Sequence, residues 1–149
     1  MKSEILIIGV GGEGVLTIGE ILSEVFIKNN YNVSLYPFYG SQQRGGVVLC
    51  ILKIDNIKKI INPTINSPDY YLVVNDKYLY EYEIYKNKNT KMFYIEDAEK
   101  NNKSKNMIIL KKFIDDFKII NELDIVYEIK KKFKKTEVQQ KNIDVFLKS

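Results

Sequence analysis

A short apolar run that ends in closely spaced glycines opens the chain and limits its fold more than any other feature. Residues 5–8 are all isoleucine or leucine, and Gly9, Gly11 and Gly14 follow them in a G-x-G-x-x-G pattern. Apolar residues then recur at three- and four-residue spacing through residues 13–28, which predicts an amphipathic helix. A buried strand, a tight glycine turn and a helix are typical of the first half of a β-α-β unit.

The rest of the chain alternates between strand-like and helix-like segments. A second strand is predicted at residues 33–36, where Pro37 ends it, so that the opening of the chain forms a β-α-β unit. Further strands are predicted at 47–54, 70–74, 91–95 and 107–110, and helices at 76–85, 119–133 and 137–147. This order predicts an α/β fold with a single open, mostly parallel sheet flanked by helices in a Rossmann-like three-layer arrangement. Residues 1–149 suit one such domain, without a linker or an internal repeat.

Composition excludes several classes of protein. The chain has no histidine and Cys50 is its one cysteine, which excludes His-dependent catalytic triads, intramolecular disulfides and cysteine-bound metal clusters. The residues therefore offer no catalytic or metal-ligating site of these kinds. A net charge of +4 is too small an excess to predict a nucleic-acid partner. No apolar stretch approaches the roughly 20 residues of a membrane helix, and no signal-peptide pattern is present, so we expect a cytoplasmic location without membrane contact.

The residues of the glycine loop leave more than one interpretation open. A dinucleotide-binding domain normally carries an acidic residue near the end of its second strand, but this strand ends in Leu35, Tyr36 and Pro37. Glu13 would also place a negative charge where a phosphate would approach. An independent NAD(P)- or flavin-binding protein is therefore an alternative that these residues disfavour. A strand-to-helix turn without any ligand is a second alternative.

A second loop leads from the second strand to the third. It contains Tyr39, Gly40, Arg44, Gly45 and Gly46. Arg44 is the one arginine among the chain's 23 basic residues, and the other 22 are lysines. Ligands of open α/β sheets bind outside the carboxyl ends of the strands, so we expect the two loops to lie side by side. The planar fork of donors on Arg44 suits a phosphate, a carboxylate or the carbonyl groups of a partner.

The two loops together resemble one family of proteins. Residues 9–15, G-V-G-G-E-G-V, are similar to the G-x-G-G-Q-G-V opening of the gamma subunits of 2-oxoacid:ferredoxin oxidoreductases, a family that includes pyruvate, 2-oxoglutarate and indolepyruvate enzymes. Residues 40–46 resemble the G-x-x-x-R-G-G loop of the same subunits, and residues 67–69 resemble the segment before their next core strand. The resemblance covers roughly the first hundred residues. Glu13 replaces the family's glutamine, and the residues before Arg44 look nearer to the indolepyruvate or 2-oxoglutarate types.

This resemblance implies an accessory subunit that is not active alone. Such enzymes decarboxylate a 2-oxo acid, pass electrons to ferredoxin and release an acyl-coenzyme A. Thiamine diphosphate, magnesium and iron–sulfur clusters would lie on alpha- and beta-type subunits, which are the implied partners, with ferredoxin an indirect one. Coenzyme A is the ligand that the resemblance implies for the glycine loops. The implied ligand or interface residues are Gly9, Gly11, Gly12, Gly14, Tyr39, Gly40, Arg44, Gly45 and Gly46.

A third alternative follows from the departures from that family. Glu13 differs from the family's residue, and the family's Asn-containing segment after a later strand is not found in this short C-terminal region. A non-enzymatic binding module that has kept the fold would show the same departures.

Overall fold

An open five-stranded sheet with four α-helices forms the described part of the protein, which is residues 1–41 and 45–149 of a computed structural model. The sheet order is β2-β3-β1-β4-β5, so β1 lies at the centre and β2 and β5 form the edges. This arrangement confirms the predicted α/β class. The strands are β1 (Lys2–Val10), β2 (Asn32–Tyr39), β3 (Val47–Asp55), β4 (Tyr70–Val73) and β5 (Lys91–Tyr94). The helices are α1 (Val15–Lys28), α2 (Lys105–Phe117), α3 (Glu122–Lys132) and α4 (Thr136–Lys148).

The sheet is mixed, and the prediction of a mostly parallel sheet is only partly met. β1 pairs with β4 and β4 with β5 in parallel, whereas β3 is antiparallel to both β1 and β2. Four strands therefore run in one direction and β3 runs against them. The physical reason is the short connection of residues 40–46, because a parallel crossover needs about a dozen residues or more. β2 and β3 form a hairpin instead, and β3 inserts beside β1.

The two faces of the sheet are covered differently. Ile5 and Ile7 of β1 belong to the main core together with residues of all four helices, which lie on this face. Leu6 and Ile8 point to the opposite face, where they pack in a smaller core beneath Leu79 and its neighbours. Two 3₁₀ helices, Leu79–Glu81 and Glu83–Tyr85, supply the cover on that side. In the described residues, the predicted three layers are thus helical on one face and built from short turns on the other.

Two predicted elements differ from the structure in type. The prediction of a strand at 107–110 is wrong, because these residues lie inside α2. Their sequence resembles a strand because all four residues are buried. The sheet covers one side of α2 and α4 covers the other. A short apolar run cannot distinguish a buried strand from a buried helix. The helix predicted at 76–85 is also wrong, since this segment forms only the two 3₁₀ helices.

The second strand continues past Pro37, which had been expected to end it. Pro37 is paired with Cys50 of β3, and β2 extends to Tyr39. Proline is tolerated in an edge strand when its nitrogen faces the open side, where no neighbour needs a donor. β2 is such an edge, and the extra length carries Tyr39 to the same end of the sheet as the first glycine loop.

Cys50 provides a test of how tightly the helical face is packed. Its side chain is fully buried beneath α1, where a Cβ atom placed on Gly19 would lie 3.0 Å from the Cys50 sulfur. Burial raises the pKa of the Cys50 thiol to about 12. At pH 8 the thiolate is therefore only about one part in ten thousand of the native thiol.

We expect a thiol-specific disulfide reagent at pH 8 to leave Cys50 unmodified in the native protein and to label it fully in denaturant. The labelling rate should follow the rate of global unfolding as denaturant is raised. Complete labelling of the native protein within seconds would contradict this packing.

Candidate functional site

The two glycine loops meet at one edge of the sheet and are joined directly. The backbone N–H of Gly11 donates to the carbonyl of Gly46 over 3.1 Å, which connects the end of β1 to the start of β3. Gly40 N–H donates to the carbonyl of Val47 over 2.9 Å and closes the β2–β3 hairpin. A cleft of about 370 Å³ lies between the loops, a volume within the range of small-molecule sites. The loops therefore lie side by side, as the sequence predicted, and enclose one cleft.

The start of α1 opens into this cleft. Gly14 is the N-cap residue and offers no side-chain cap, and the first turn contains no acidic residue. Leu16 and Thr17, from that first turn, line the cleft. The first backbone N–H groups of a helix have no partner within the helix and carry its positive dipole end. This end of the cleft is therefore suited to an anionic group.

Gly14 is required here for two separate reasons. Its φ of 76° lies in the left-handed region, which side chains with a Cβ rarely adopt. A Cβ at this position would also lie 2.2 Å from the side-chain nitrogen of Asn106 in α2. Asn106 is buried, and its amide donates to the Gly14 carbonyl over 3.4 Å. The glycine thus allows both the turn and the close approach of α2.

A third segment, which follows β4, holds the second loop in place. The Tyr78 hydroxyl donates to the carbonyl of Gly45 over 2.9 Å, and the Lys77 ammonium lies 3.4 Å from the same oxygen. Neither Lys77 nor Tyr78 was recognised from the sequence. The available signal was their position directly after a buried strand, since such ends carry binding residues in α/β sheets.

The Glu13 side chain does not face the cleft. Its Oε1 atom accepts from the Lys105 ammonium over 2.7 Å and from the Asn75 amide over 3.1 Å. Its Oε2 atom is buried without a hydrogen-bond partner among the described residues. The interpretation that Glu13 repels an approaching phosphate is therefore corrected, because its charge is paired with Lys105 on the far side of the loop. Lys105, at the start of α2, was not recognised from the sequence.

The predicted site residues divide into three groups. Gly9 lies beneath the cleft rather than in its wall, and a Cβ there would come within 2.7 Å of a Val15 methyl group. Arg44 lies outside the described residues. No acidic residue lines the described part of the cleft, so the carboxylate typical of a dinucleotide site is missing there. The predicted residues that line the cleft are Gly11, Gly12, Gly14, Tyr39, Gly40, Gly45 and Gly46.

Comparison with known proteins identifies the family. Residues 4–103 match the family model described as pyruvate ferredoxin/flavodoxin oxidoreductase. The chain belongs to this oxidoreductase family. The match includes both glycine loops and β1 to β5, so it confirms the resemblance drawn from the two loops.

Individual oxidoreductase subunits are similar over about half of the chain. The ketoisovalerate oxidoreductase subunit VorA of Methanothermobacter thermautotrophicus is 34% identical over 76 residues, which is 51% of this chain and 16% of that protein. The common gamma subunit of the pyruvate/ketoisovalerate oxidoreductases of Pyrococcus furiosus is 36% identical over 72 residues, covering 48% of this chain and 38% of the relative. The matched regions thus span well under half the length of either relative.

Solved structures of the family share the whole fold. Pyruvate oxidoreductase subunit PORC of Thermotoga maritima superposes with a TM-score of 0.73 and 18% identity, covering 99% of this chain and 94% of that one. A 2-oxoglutarate:ferredoxin oxidoreductase of Magnetococcus marinus, solved with 2-oxoglutarate, coenzyme A and succinyl-CoA bound, has a TM-score of 0.77 and 19% identity. It covers 99% of this chain, which corresponds to 30% of that longer chain. α3 and α4, beyond the matched family region, therefore also belong to the shared fold.

Metal-binding clusters and membrane-spanning helices are both missing from the described residues. These residues contain no group of three or more His, Cys, Asp or Glu side chains placed to hold a metal ion. None of their helices combines the length and the apolar character that crossing a bilayer would need.

Alanine substitutions at the glycines should have graded effects on stability. We expect Gly11→Ala to unfold near the wild-type temperature, because a Cβ there meets nothing within 4 Å. Gly14→Ala should lose about 1–3 kcal/mol of unfolding free energy from its backbone conformation alone. Combining Gly14→Ala with Asn106→Ala should recover only the part of the lost unfolding free energy that the clash with the Asn106 side chain causes. Equal melting temperatures for the two single variants would contradict this account of Gly14.

The ion pair between Glu13 and Lys105 should contribute measurably to stability. Each side chain is about one-fifth exposed, so solvent screens their attraction only in part. In a double-mutant cycle with Glu13→Gln and Lys105→Met we expect a coupling energy of about 1–2 kcal/mol in urea unfolding. The matched cycle on the exposed pair Asp97 and Lys100 should give a smaller value. A coupling near zero for Glu13 and Lys105 would show that the pair does not hold the loop.

Proposed function

We propose that this chain is an accessory, gamma-type subunit of a thiamine-diphosphate-dependent 2-oxoacid:ferredoxin oxidoreductase. It would support the oxidative decarboxylation of a 2-oxo acid to an acyl-coenzyme A on the coenzyme A and subunit-interface side of the assembly. The observation that carries the proposal is the hydrogen bond from Gly11 to Gly46, because it joins both loops of the family into one cleft. Family membership supplies the chemistry of the whole enzyme.

The cleft has the properties that the phosphate end of coenzyme A requires. Its walls are largely glycine backbone, so a ligand can approach the main chain closely. The uncapped start of α1 presents N–H donors and a positive dipole end to a phosphate. Arg44, from the same loop in sequence, would add a fork of donors to a phosphate or carboxylate. These groups would bind and orient coenzyme A. Thiamine diphosphate, magnesium and the iron–sulfur clusters are assigned to the alpha- and beta-type subunits.

An uncharged aromatic edge next to the cleft is the proposed contact with those subunits. Tyr36, Phe38 and Tyr39 of β2 are 48%, 43% and 59% exposed. Residues 31–41 contain no charged residue, although 28% of the chain is charged. Protein interfaces are enriched in aromatic residues and depleted of charge at their centres. Tyr39 also lines the cleft, so a subunit on this edge would complete the site.

The substrate and location are part of the same proposal. Named relatives of this chain act on pyruvate and ketoisovalerate, and a solved structure with its fold acts on 2-oxoglutarate. We therefore propose a short 2-oxo acid as the substrate of the complex. A cytoplasmic location of the complex is part of the same proposal.

Affinity purification of the tagged chain from its native cells tests the assembly. We expect it to recover a thiamine-diphosphate subunit together with 2-oxo-acid-dependent reduction of a redox dye. The isolated chain should show no such activity, which is the internal control. A chain that purifies alone with bound NAD(P) or flavin would overturn the proposal.

Substitution of Arg44 tests its proposed role within that complex. We expect Arg44→Ala to raise the concentration of coenzyme A needed for half-maximal rate by about tenfold, the effect of one charge-assisted contact of roughly 1.4 kcal/mol. Arg44→Lys keeps the charge but not the fork, so it should recover only part of the loss. The melting temperature should not change. An unchanged coenzyme A dependence with normal assembly would remove Arg44 from the site.

A further inference from the structure

A second cleft lies at the opposite edge of the sheet from the glycine loops. It has a volume of about 510 Å³ and is formed where β1 begins and β3 ends, beneath the connection that leads from β3 to β4. β1 alone separates the two clefts by about 26 Å, at about 3.3 Å per residue. The second cleft is therefore independent of the site described above.

Lys53 on β3 forms the floor of this cleft. Its side chain is only 7% exposed, and it lies opposite Glu4 on the neighbouring β1. The Lys53 ammonium is 3.7 Å from the Glu4 carboxylate, which is longer than a hydrogen bond. It makes no hydrogen bond within residues 1–41 and 45–149. An ammonium carries three donors, and in the free protein those of Lys53 face the water of the cleft rather than a protein acceptor.

The carboxylates around the cleft are already engaged by the fold. Glu4 Oε1 accepts from the Asn66 N–H over 2.8 Å. One oxygen of Asp69 accepts from the Ser3 hydroxyl and the Glu4 N–H over 3.0 and 2.8 Å. Asp55 accepts from the N–H groups of the two residues that begin the covering segment after Asn56. These contacts orient the acidic groups toward backbone and hydroxyl donors.

The unengaged groups in the cleft are mainly cationic. Lys2, Lys58 and Lys59 line it together with Lys53, giving four lysines against three carboxylates. Among the described residues, the ammonium groups of these three lysines have no carboxylate within ion-pair distance. Ile61, which is 90% exposed, adds an apolar surface at the rim. Several lysines around the largely buried Lys53 side chain suit a compact, multiply charged anion.

We propose that this cleft is a second ligand site, in which Lys53, Lys58 and Lys59 bind the phosphate groups of a small phosphorylated molecule. Lys53 anchors the anion from below, and the two neighbouring lysines close over it from the covering segment. Ile61 packs against any apolar or base-like part of the ligand. The phosphate replaces water as the hydrogen-bond acceptor of the Lys53 ammonium.

Calorimetric titration of the full chain with pyrophosphate and with adenosine diphosphate at low salt tests the proposal. We expect saturable binding of at least one probe below about 1 mM. Lys58→Ala with Lys59→Ala should weaken it at least about fivefold, since two charged donors are lost. The matched control is Lys134→Ala with Lys135→Ala, an exposed lysine pair without ion pairs in the described residues, which should leave the affinity unchanged.

The remaining outcomes distinguish the source of the phosphate and can overturn the site. If pyrophosphate and adenosine diphosphate bind with equal affinity, the cleft recognises only the phosphate groups of its ligand. If adenosine diphosphate binds more tightly than pyrophosphate, and Ile61→Ser removes this preference, the ligand is a phosphate with an attached apolar group. Absence of binding at about 10 mM, or equal weakening by both lysine pairs, would overturn the proposal. Lys53→Met combined with Glu4→Gln tests the floor residue without leaving a buried charge unpaired, and should also weaken binding.

Discussion

The pairing of β3 with β1 is the constraint on which the rest of the structure depends. Its register runs without interruption from the pair of Lys2 with Asp55 to the pair of Val10 with Val47. One end of this ladder brings the first glycine loop against the second, where Gly11 meets Gly46. The other end places Glu4 beside Lys53. A single antiparallel register thus determines both the cleft between the glycine loops and the second cleft about 26 Å away.

The two ends of the central strands expose different polar groups: backbone N–H donors at one end and lysine side chains at the other. At the glycine-loop edge, the one nearby carboxylate of the loop, Glu13, is turned away and paired with Lys105. The cleft is left with backbone donors and the open start of α1. At the opposite edge, backbone N–H groups occupy the carboxylates, so lysines are the groups left for a ligand. In both places the carboxylates keep their charge but are held by contacts within the fold, and backbone donors or lysines are the groups that stay open to the cleft.

The sequence was sufficient for features set by local pattern. The run at 5–8, the glycines after it and the periodicity of α1 identified the unit that carries the first loop, and the two loops were correctly expected to lie together. Features set by tertiary environment were missed. The four apolar residues at 107–110 read as a strand because burial on two sides hides the period of a helix. The direction of β3 was missed although the length of residues 40–46 could have indicated it. The orientation of Glu13 depends on Lys105, which is distant in sequence, and no local pattern reports it.

Pro37 bears on how the open edge of the sheet behaves in the isolated chain. The outer side of β2 is an open row of backbone groups flanked by exposed aromatic residues, a surface on which identical chains could stack strand on strand. Pro37 interrupts the donors of that row at its middle, because its nitrogen carries no hydrogen and β3 needs none from it. Another strand could therefore add to this edge only with a gap in its hydrogen-bond ladder. The edge is thereby protected against self-templated aggregation while its aromatic side chains stay exposed.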